Sequence, residues 1–126
     1  MKPNYLEWLK QADYDVDTAA FMYSGKRFFY TVFMCHLSVE KALKGLYQKT
    51  KQKVPPKTHN LIYLLTEIAV QLDEKNGRFV ARLNEANIAA RYPETIEKVQ
   101  SIYTQEIALQ ILNQTREFLE WIKQQY

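Results

Sequence analysis

The sequence predicts an all-α protein, an up-and-down antiparallel bundle of about five helices that forms a single domain over residues 1–126. Three observations predict this fold class. Apolar residues recur at helical spacing along most of the chain, and no alternating strand pattern competes with them. Only three glycines and four prolines occur, in clusters, which indicates long regular elements joined by short connections. A length of 126 residues also suits one domain.

The first two helices are predicted over residues 4–24 and 26–50. The apolar face of the first helix is formed by Leu6, Leu9, Val16, Ala20 and Tyr23. Gly25 stands where a left-handed cap would end this helix. The apolar stripe of the second helix is formed by Val32, Cys35, Val39, Ala42, Leu43 and Leu46. A lysine-bearing loop follows, because Pro55-Pro56 prevents helix there.

A third helix is predicted to start after a cap at Thr58 or Asn60 and to run through Leu72. The dipeptide Asn76-Gly77 is expected to break the chain after this helix.

A shorter fourth helix is predicted over residues 79–90, with Pro93 stopping it soon afterwards. Thr104 is typical of an N-cap, and it precedes the last helix. That helix has the cleanest apolar seam in the chain, formed by Ile107, Ala108, Ile111, Leu112, Phe118, Leu119 and Ile122.

The charge balance and the single cysteine restrict the function classes. A net charge of +3 permits a phosphate-bearing partner without requiring one. The one cysteine allows no intrachain disulfide, and no Cys/His spacing suits a metal, so no cofactor is expected and a reducing cytoplasm is the natural setting. The charged N-terminal segment is not typical of a signal peptide. No apolar run approaches the roughly 18 residues of a membrane span, so no membrane partner is expected.

Known catalytic patterns are not found in the sequence. Its three glycines are isolated, so no phosphate-binding glycine loop is present. Cys35 lies on the predicted core face, where it is expected to be a small buried hydrophobe. No carboxylate has the Glu-x-x-His spacing of a di-iron bundle.

Three ionisable residues, His36, Glu40 and Lys44, are spaced four apart in the second helix. Helical geometry puts them beside the apolar stripe, and it directs Lys41 nearly opposite the core. In one interpretation His36 is a half-buried, hydrogen-bonded histidine and Glu40 with Lys44 is an ordinary ion pair. In the other, this strip meets a polar ligand, because the apolar Phe33 lies on the same side.

Leu37 lies on that side as well, and both apolar residues should be covered by another helix or a second chain.

Asp13 falls within the apolar face of the first helix. Burying an unpaired carboxylate costs several kcal/mol, so Asp13 should have a partner. The candidates are His36, Lys41, Lys44 and Arg91.

Four short motifs follow one another at characteristic separations: Ala12-Asp13 with Ala19-Ala20, His36-x-x-x-Glu40-Lys41-Ala42-Leu43-Lys44, Thr58-His59-Asn60-Leu61, and Ala90-Arg91-Tyr92-Pro93. Together with Tyr103-Thr104 before the last helix, they cover nearly the whole chain. In these features the sequence resembles the HEPN domain family, named for higher eukaryotes, prokaryotes and nucleotide binding.

The resemblance implies a compact bundle, often dimeric, that is similar to the substrate-binding helical domain of aminoglycoside nucleotidyltransferases. Family members commonly act beside a minimal nucleotidyltransferase. We therefore expect a non-catalytic, homodimeric binding module. It would serve a separate nucleotidyltransferase chain, or bind a nucleotide or RNA itself.

A ribonuclease toxin of a toxin–antitoxin pair is the alternative that the same family offers. Toxins of this family carry an arginine followed, after four to six residues, by a histidine in a late helix. Arg91 is followed by no histidine, since the only two are His36 and His59. Metal-free RNA cleavage needs groups that transfer protons, so this alternative is the less favoured one.

The resemblance singles out residues for each role. The expected nucleotide or polyanion site consists of Lys41, Lys44, Arg91, His59 and Tyr92. His36 and Glu40 would organise that site, and Asp13 would be a structural polar residue. The competing interpretation is that the motif only fixes helix packing.

Overall fold

Six helices make up the part of the chain that the structure describes. The structure is a computed structural model, described here for residues 4–126; the first three residues of the charged N-terminal segment lie outside this range. In chain order the helices are α1 Tyr5–Ser24, α2 Phe28–Lys51, α3 Leu61–Ile68, α4 Glu74–Arg91, α5 Ile96–Ile102 and α6 Gln105–Lys123. The described residues contain no strand, and none of their helices is long and apolar enough to cross a bilayer. The predicted all-α bundle is confirmed, with one helix more than expected.

α2 is the central element, because it contacts each of the other five helices. Its apolar stripe is buried, and so are polar residues on its other sides, among them Ser38, Glu40 and Gln48. A helix is buried around its whole circumference only when other elements surround it. The three ionisable residues that the sequence puts beside the apolar stripe, His36, Glu40 and Lys44, are therefore buried as well.

α1 packs against α2 along small side chains. Ala12 and Ala19 are fully buried, and the Ser38 hydroxyl donates a 2.6 Å hydrogen bond to the Ala12 carbonyl. Farther along α2, Gly45 has no side chain, and a Cβ there would lie 2.9 Å from the Trp8 Cβ and 3.0 Å from the Tyr5 carbonyl oxygen. The two helices therefore approach closely at positions where the sequence has Ala, Ser or Gly.

Because of this close approach, the face of α1 that packs against α2 differs from the predicted one. The buried positions are Ala12, Asp15, Val16 and Ala19, whereas Leu6 is exposed. The carboxylate buried in α1 is therefore Asp15, and the prediction for Asp13 is corrected below.

α1 ends at Ser24, as predicted, but the left-handed residue that follows it comes one position after the glycine. Gly25 has φ −84°, and Lys26 takes the left-handed conformation at φ 62°. The Arg27 N–H donates to the Met22 carbonyl at 2.8 Å and the Lys26 N–H to the Tyr23 carbonyl at 3.0 Å, which is a Schellman motif. The predicted left-handed cap exists, but Lys26 adopts it rather than Gly25.

α3 and α4 differ from their predicted bounds. Asn60, rather than Thr58, caps α3 and accepts from the Tyr63 N–H, and α3 ends at a left-handed Ala69 instead of Leu72. α4 begins earlier than expected, because the Asp73 side chain accepts from the Asn76 N–H at 2.8 Å.

Asn76-Gly77 therefore lies inside α4 and does not break the chain.

Thr95 caps a seven-residue helix, α5, that the sequence pattern did not predict. Thr104 caps α6 as predicted, and every residue of the predicted seam is buried except Ile107, which is partly buried.

The two helical glycines provide a matched test of the α1–α2 packing. Gly45→Ala is expected to lower the free energy of unfolding by about 1–3 kcal/mol, because the new Cβ overlaps both α1 and the Tyr126 hydroxyl. Gly77→Ala meets nothing within 4 Å. It should raise stability by up to about 1 kcal/mol, the usual helix preference for alanine. Urea denaturation of both variants measures the difference, and two stabilised variants would contradict the close approach.

Candidate functional site

Glu40 is the centre of a buried polar cluster. Its side chain lies on α2, and the residue is only 3% exposed. Oε1 lies 2.8 Å from His59 Nδ1, and Oε2 accepts a 3.0 Å hydrogen bond from Lys44 Nζ. His36 Nδ1 is 3.8 Å from Oε1, which is too long for a hydrogen bond. We call Glu40, His36, Lys44 and His59 the Glu40 cluster.

Lys44 completes an ion pair inside the protein. The residue is buried, and its ammonium lies 6.0 Å from the centre of the Trp8 ring on α1. The Trp8 indole N–H in turn donates to the Gln48 Oε1 at 2.9 Å. Lys44 therefore neutralises Glu40 between two helices. Exposure rises from His36 through Glu40 to Lys44, but all three residues are buried rather than at the edge of the core.

His59 reaches Glu40 from the loop that precedes α3. The Thr58 hydroxyl accepts from the Asn60 N–H at 3.1 Å, and Asn60 caps α3, so the loop is held on both sides of the histidine. With the Glu40 carboxylate at Nδ1, that nitrogen carries a ring proton and donates it to the carboxylate, and Nε2 is left for another partner. The His59 side chain is 54% exposed. It is thus the one member of the cluster that a ligand can reach.

A surface cavity of about 220 Å³ lies at His59. Its other lining residues include Asn84, whose Oδ1 accepts from the Leu61 N–H at 2.9 Å, and Asn87. Asn87 is buried, and its Oδ1 has no hydrogen-bond partner within the described chain. Asn87 was not among the residues predicted from the sequence. Its position could have been recognised, because Asn87 is an amide residue on the apolar face of α4, about one helical turn from both Leu83 and Ala90.

His36 is sealed in the core next to Glu40. It is 1% exposed, and its Nε2 has no partner among the described residues. Burial lowers the pKa of His36 to about 4, and the charges of His59 and Arg91 act in the same direction, whereas the charge of Glu40 opposes them. The ring is therefore neutral at pH 7. His59 and Arg91 both lie close enough to affect it.

Arg91 adjoins the cluster from the end of α4. Its guanidinium carbon lies 4.8 Å from the centre of the Phe33 ring, a stacking arrangement. Its Nε is buried without a hydrogen-bond partner, and no carboxylate within residues 4–126 pairs with it. Because Lys44 neutralises Glu40 and His36 is uncharged, Arg91 leaves this region with excess positive charge.

Two predicted ligand residues lie elsewhere. Lys41 Nζ is 2.9 Å from Asp15 Oδ2 on α1, although not at a hydrogen-bonding angle, so Lys41 faces a neighbouring helix rather than pointing away from the core. Tyr92 is 75% exposed and lines a separate cavity of about 190 Å³ between α4 and α5. Neither side chain is hydrogen-bonded to or ion-paired with a member of the Glu40 cluster within the described residues.

Asp13 is paired, but at the surface. Its carboxylate lies 2.9 Å from Lys123 Nζ on α6, and its side chain is 49% exposed. Lys123 was not among the expected partners, and Asp13 is not buried. Surface pairs of this kind contribute about 0–1 kcal/mol.

Other site chemistries find little support in the described chain. No group of three His, Cys, Asp or Glu side chains within residues 4–126 is arranged to hold a metal ion. Cys35 is buried, as predicted, and burial raises the pKa of its thiol to about 12. A thiol of that kind is a poor nucleophile at neutral pH.

The buried neutral His36 predicts a pH dependence of stability. An unfolded histidine binds a proton near pH 6.5, whereas folded His36 does so only near pH 4. The free energy of unfolding should therefore fall by about 3 kcal/mol as the pH drops through this window, and it should be unaffected by His36 above it. Denaturation of wild type and His36→Gln at several pH values isolates this contribution. Parallel curves would contradict it.

Known proteins resemble this chain over nearly its whole length. The family model of the HEPN domain matches residues 5–125. The fold is shared over 98% of each chain by ST0689, an archaeal HEPN homologue, at 23% identity and a TM-score of 0.78. It is shared to the same extent by TT1696 from Thermus thermophilus, at 19% identity and a TM-score of 0.83. Among curated proteins, none matches the chain significantly. Because the family model spans nearly the whole sequence, the chain belongs to the HEPN domain family.

Proposed function

We propose that this HEPN domain is a non-catalytic binding module for a nucleotide, and that it works as the companion of a separate minimal nucleotidyltransferase. The observation that carries the proposal is the unpaired guanidinium of Arg91 near His36 and Glu40. Arginine without a carboxylate partner is well suited to bind phosphate through paired hydrogen bonds. This positive charge lies at the edge of the Glu40 cluster, in which Lys44 already neutralises Glu40.

The Glu40 cluster supports this site by holding His59 in place. The buried carboxylate fixes the ring orientation through Nδ1, as carboxylates behind ligand-binding histidines do in other proteins. The free ring nitrogen, together with the amides of Asn84 and Asn87 in the same cavity, supplies hydrogen-bonding groups for a polar ligand. Lys44 is part of the support rather than of the binding surface, because it is buried against Trp8.

The surface beside His59 also has a feature of protein interfaces. Ile88 lines the same cavity and is 65% exposed, and Ile62 in the first turn of α3 is exposed as well. Exposed apolar residues around a polar cavity are typical of a surface that another chain covers. We assign this face to the partner, either a second copy of the chain or the nucleotidyltransferase.

Arg91→Gln is expected to weaken the binding of ATP at least tenfold, because it removes the unpaired charge and the bidentate donors. Isothermal titration calorimetry measures the affinity. Arg78→Gln is the matched control, since Arg78 lies on the same helix but is exposed and paired with Glu74 at 3.1 Å. Equal effects of the two variants, or no binding of ATP to wild type, would count against the nucleotide site.

The same protein preparation tests the ribonuclease alternative. A labelled single-stranded RNA should stay intact during incubation. Cleavage that disappears in His59→Ala would support the alternative instead, because His59 is the histidine that solvent reaches.

A homodimer is expected at micromolar concentration, with twice the 15.0 kDa mass of the chain by light scattering. The sequence favours a dimer through the apolar Phe33, but Arg91 of the same chain partly covers that ring. The exposed Ile88 supports the expectation of a dimer better than Phe33 does. Ile88→Glu should shift the mass towards the monomer, because a buried charge in an apolar interface is costly. A monomeric wild-type protein would contradict the dimer.

A further inference from the structure

The outer face of α1 leaves three large apolar side chains open to solvent. Leu6 is 55% exposed, Tyr14 73% and Phe21 75%. This face points away from α2, because the buried residues of α1 lie on the opposite side of the helix. Lys10 and Asp17 are exposed on the same face, since steps of three or four residues join all five positions along one side of the helix. We call these five residues the α1 stripe.

The α1 stripe also carries one unpaired charge of each sign. Neither Lys10 nor Asp17 forms an ion pair within residues 4–126. The two residues are seven positions apart, which is about two helical turns or roughly 10 Å, so they are too far apart to pair with each other in one chain. Both charges are therefore available to a group on another molecule.

The order of residues along the α1 stripe makes it complementary to itself. Positions 6 and 21 have the same midpoint as positions 10 and 17, and Tyr14 lies beside that midpoint. When two α1 helices pack antiparallel about a two-fold axis at this point, Leu6 lies opposite Phe21 of the second copy. Lys10 then lies opposite Asp17 of the second copy, and the two Tyr14 rings meet at the axis. A symmetric interface requires a surface that matches itself in this way.

We propose that the α1 stripe is a self-association surface on which a second copy of this chain packs antiparallel. Apolar contacts form at both ends and at the centre of the stripe, and two ion pairs lie between them. This surface is on α1, separate from Ile88 on α4, and it does not depend on the proposed nucleotide site. Where the face at Ile88 already joins two chains, the α1 stripes join those dimers to one another.

The strength of this association follows from the size of the α1 stripe. A tyrosine or phenylalanine buries roughly 150–250 Å² when it is fully covered, and each copy contributes two such rings. At their present exposure the four rings supply roughly 450–750 Å² of the ~1,000 Å² that a specific interface buries. We therefore expect weak, reversible association, with a Kd on the order of 100 µM.

Sedimentation velocity of the Ile88→Glu variant tests the α1 stripe without a contribution from the face at Ile88. Between about 10 and about 500 µM, its average mass should rise from 15.0 kDa towards twice that value. Phe21→Ser in the same background should weaken the association at least tenfold, because the contact with Leu6 is lost at both ends. Tyr92→Ser is the matched control, since Tyr92 is as exposed as Phe21 but lies outside the stripe, and it should leave the association unchanged.

Charge reversal tests whether the second copy packs antiparallel. In the Ile88→Glu background, Lys10→Glu brings negative charges together at two places in the interface, and Asp17→Lys brings positive charges together there. Each variant alone should therefore associate at least tenfold more weakly. An equimolar mixture of the two variants should regain the original affinity, because opposite charges then face each other at both places. Both positions are exposed, so the variants are expected to fold like wild type.

An Ile88→Glu variant that stays monomeric at about 500 µM would overturn the proposal, and the α1 stripe would then be left to a helix of another protein. Equal losses in Phe21→Ser and Tyr92→Ser would overturn it as well. So would a mixture of the two charge variants that associates no better than its components. Arg91→Gln should leave the association unchanged, so a failure of the nucleotide site and a failure of the α1 stripe are distinguishable.

Discussion

The carboxylate of Glu40 is the interaction on which the arrangement around α2 depends. It lies on the helix that contacts all the others, and its two oxygens face different elements. One oxygen holds the loop before α3 through His59, and the other holds Lys44 against Trp8 of α1. A buried carboxylate without these partners would cost several kcal/mol, so the helix, the loop and the indole are fixed together.

Much of the fold was predictable from sequence, and the misses have identifiable causes. α6 was predicted closely because its seam is regular and Thr104 caps it. Asn76-Gly77 predicted a break, but the Asp73 cap starts α4 before that dipeptide. The helix that starts at the Asp73 cap outweighs the turn preference of Asn76-Gly77. The preferences of single residues do not show which of the two prevails.

The site was predictable in part. His36, Glu40 and His59 come together as a cluster with Arg91 beside it, whereas Lys41 and Tyr92 lie apart from it. Periodicity gives the direction of each side chain around one helix. It does not say how many neighbours that helix has, so it could not show that α2 is enclosed and that Lys44 is buried.

Pairing with carboxylates reduces the positive charge that remains at the surface. Lys41, Lys44 and Lys123 each have a carboxylate partner, so they contribute little to the outside field. Arg91 and the adjacent pair Lys26 and Arg27 have no such partner within the described residues, and the same holds for six other cations: Lys10, Lys49, Lys53, Lys57, Arg82 and Arg116. The small net charge of +3 therefore does not preclude local positive charge at the surface.

The seam of Ala12, Ser38 and Gly45 has a consequence for chain topology. α1 and α2 are joined by three residues, 25–27, so the contacts along this seam close a short loop with little loss of chain entropy. α6 packs against the same central helix from far along the sequence. The fold thus combines a hairpin of low contact order with a last helix whose contacts are strongly non-local.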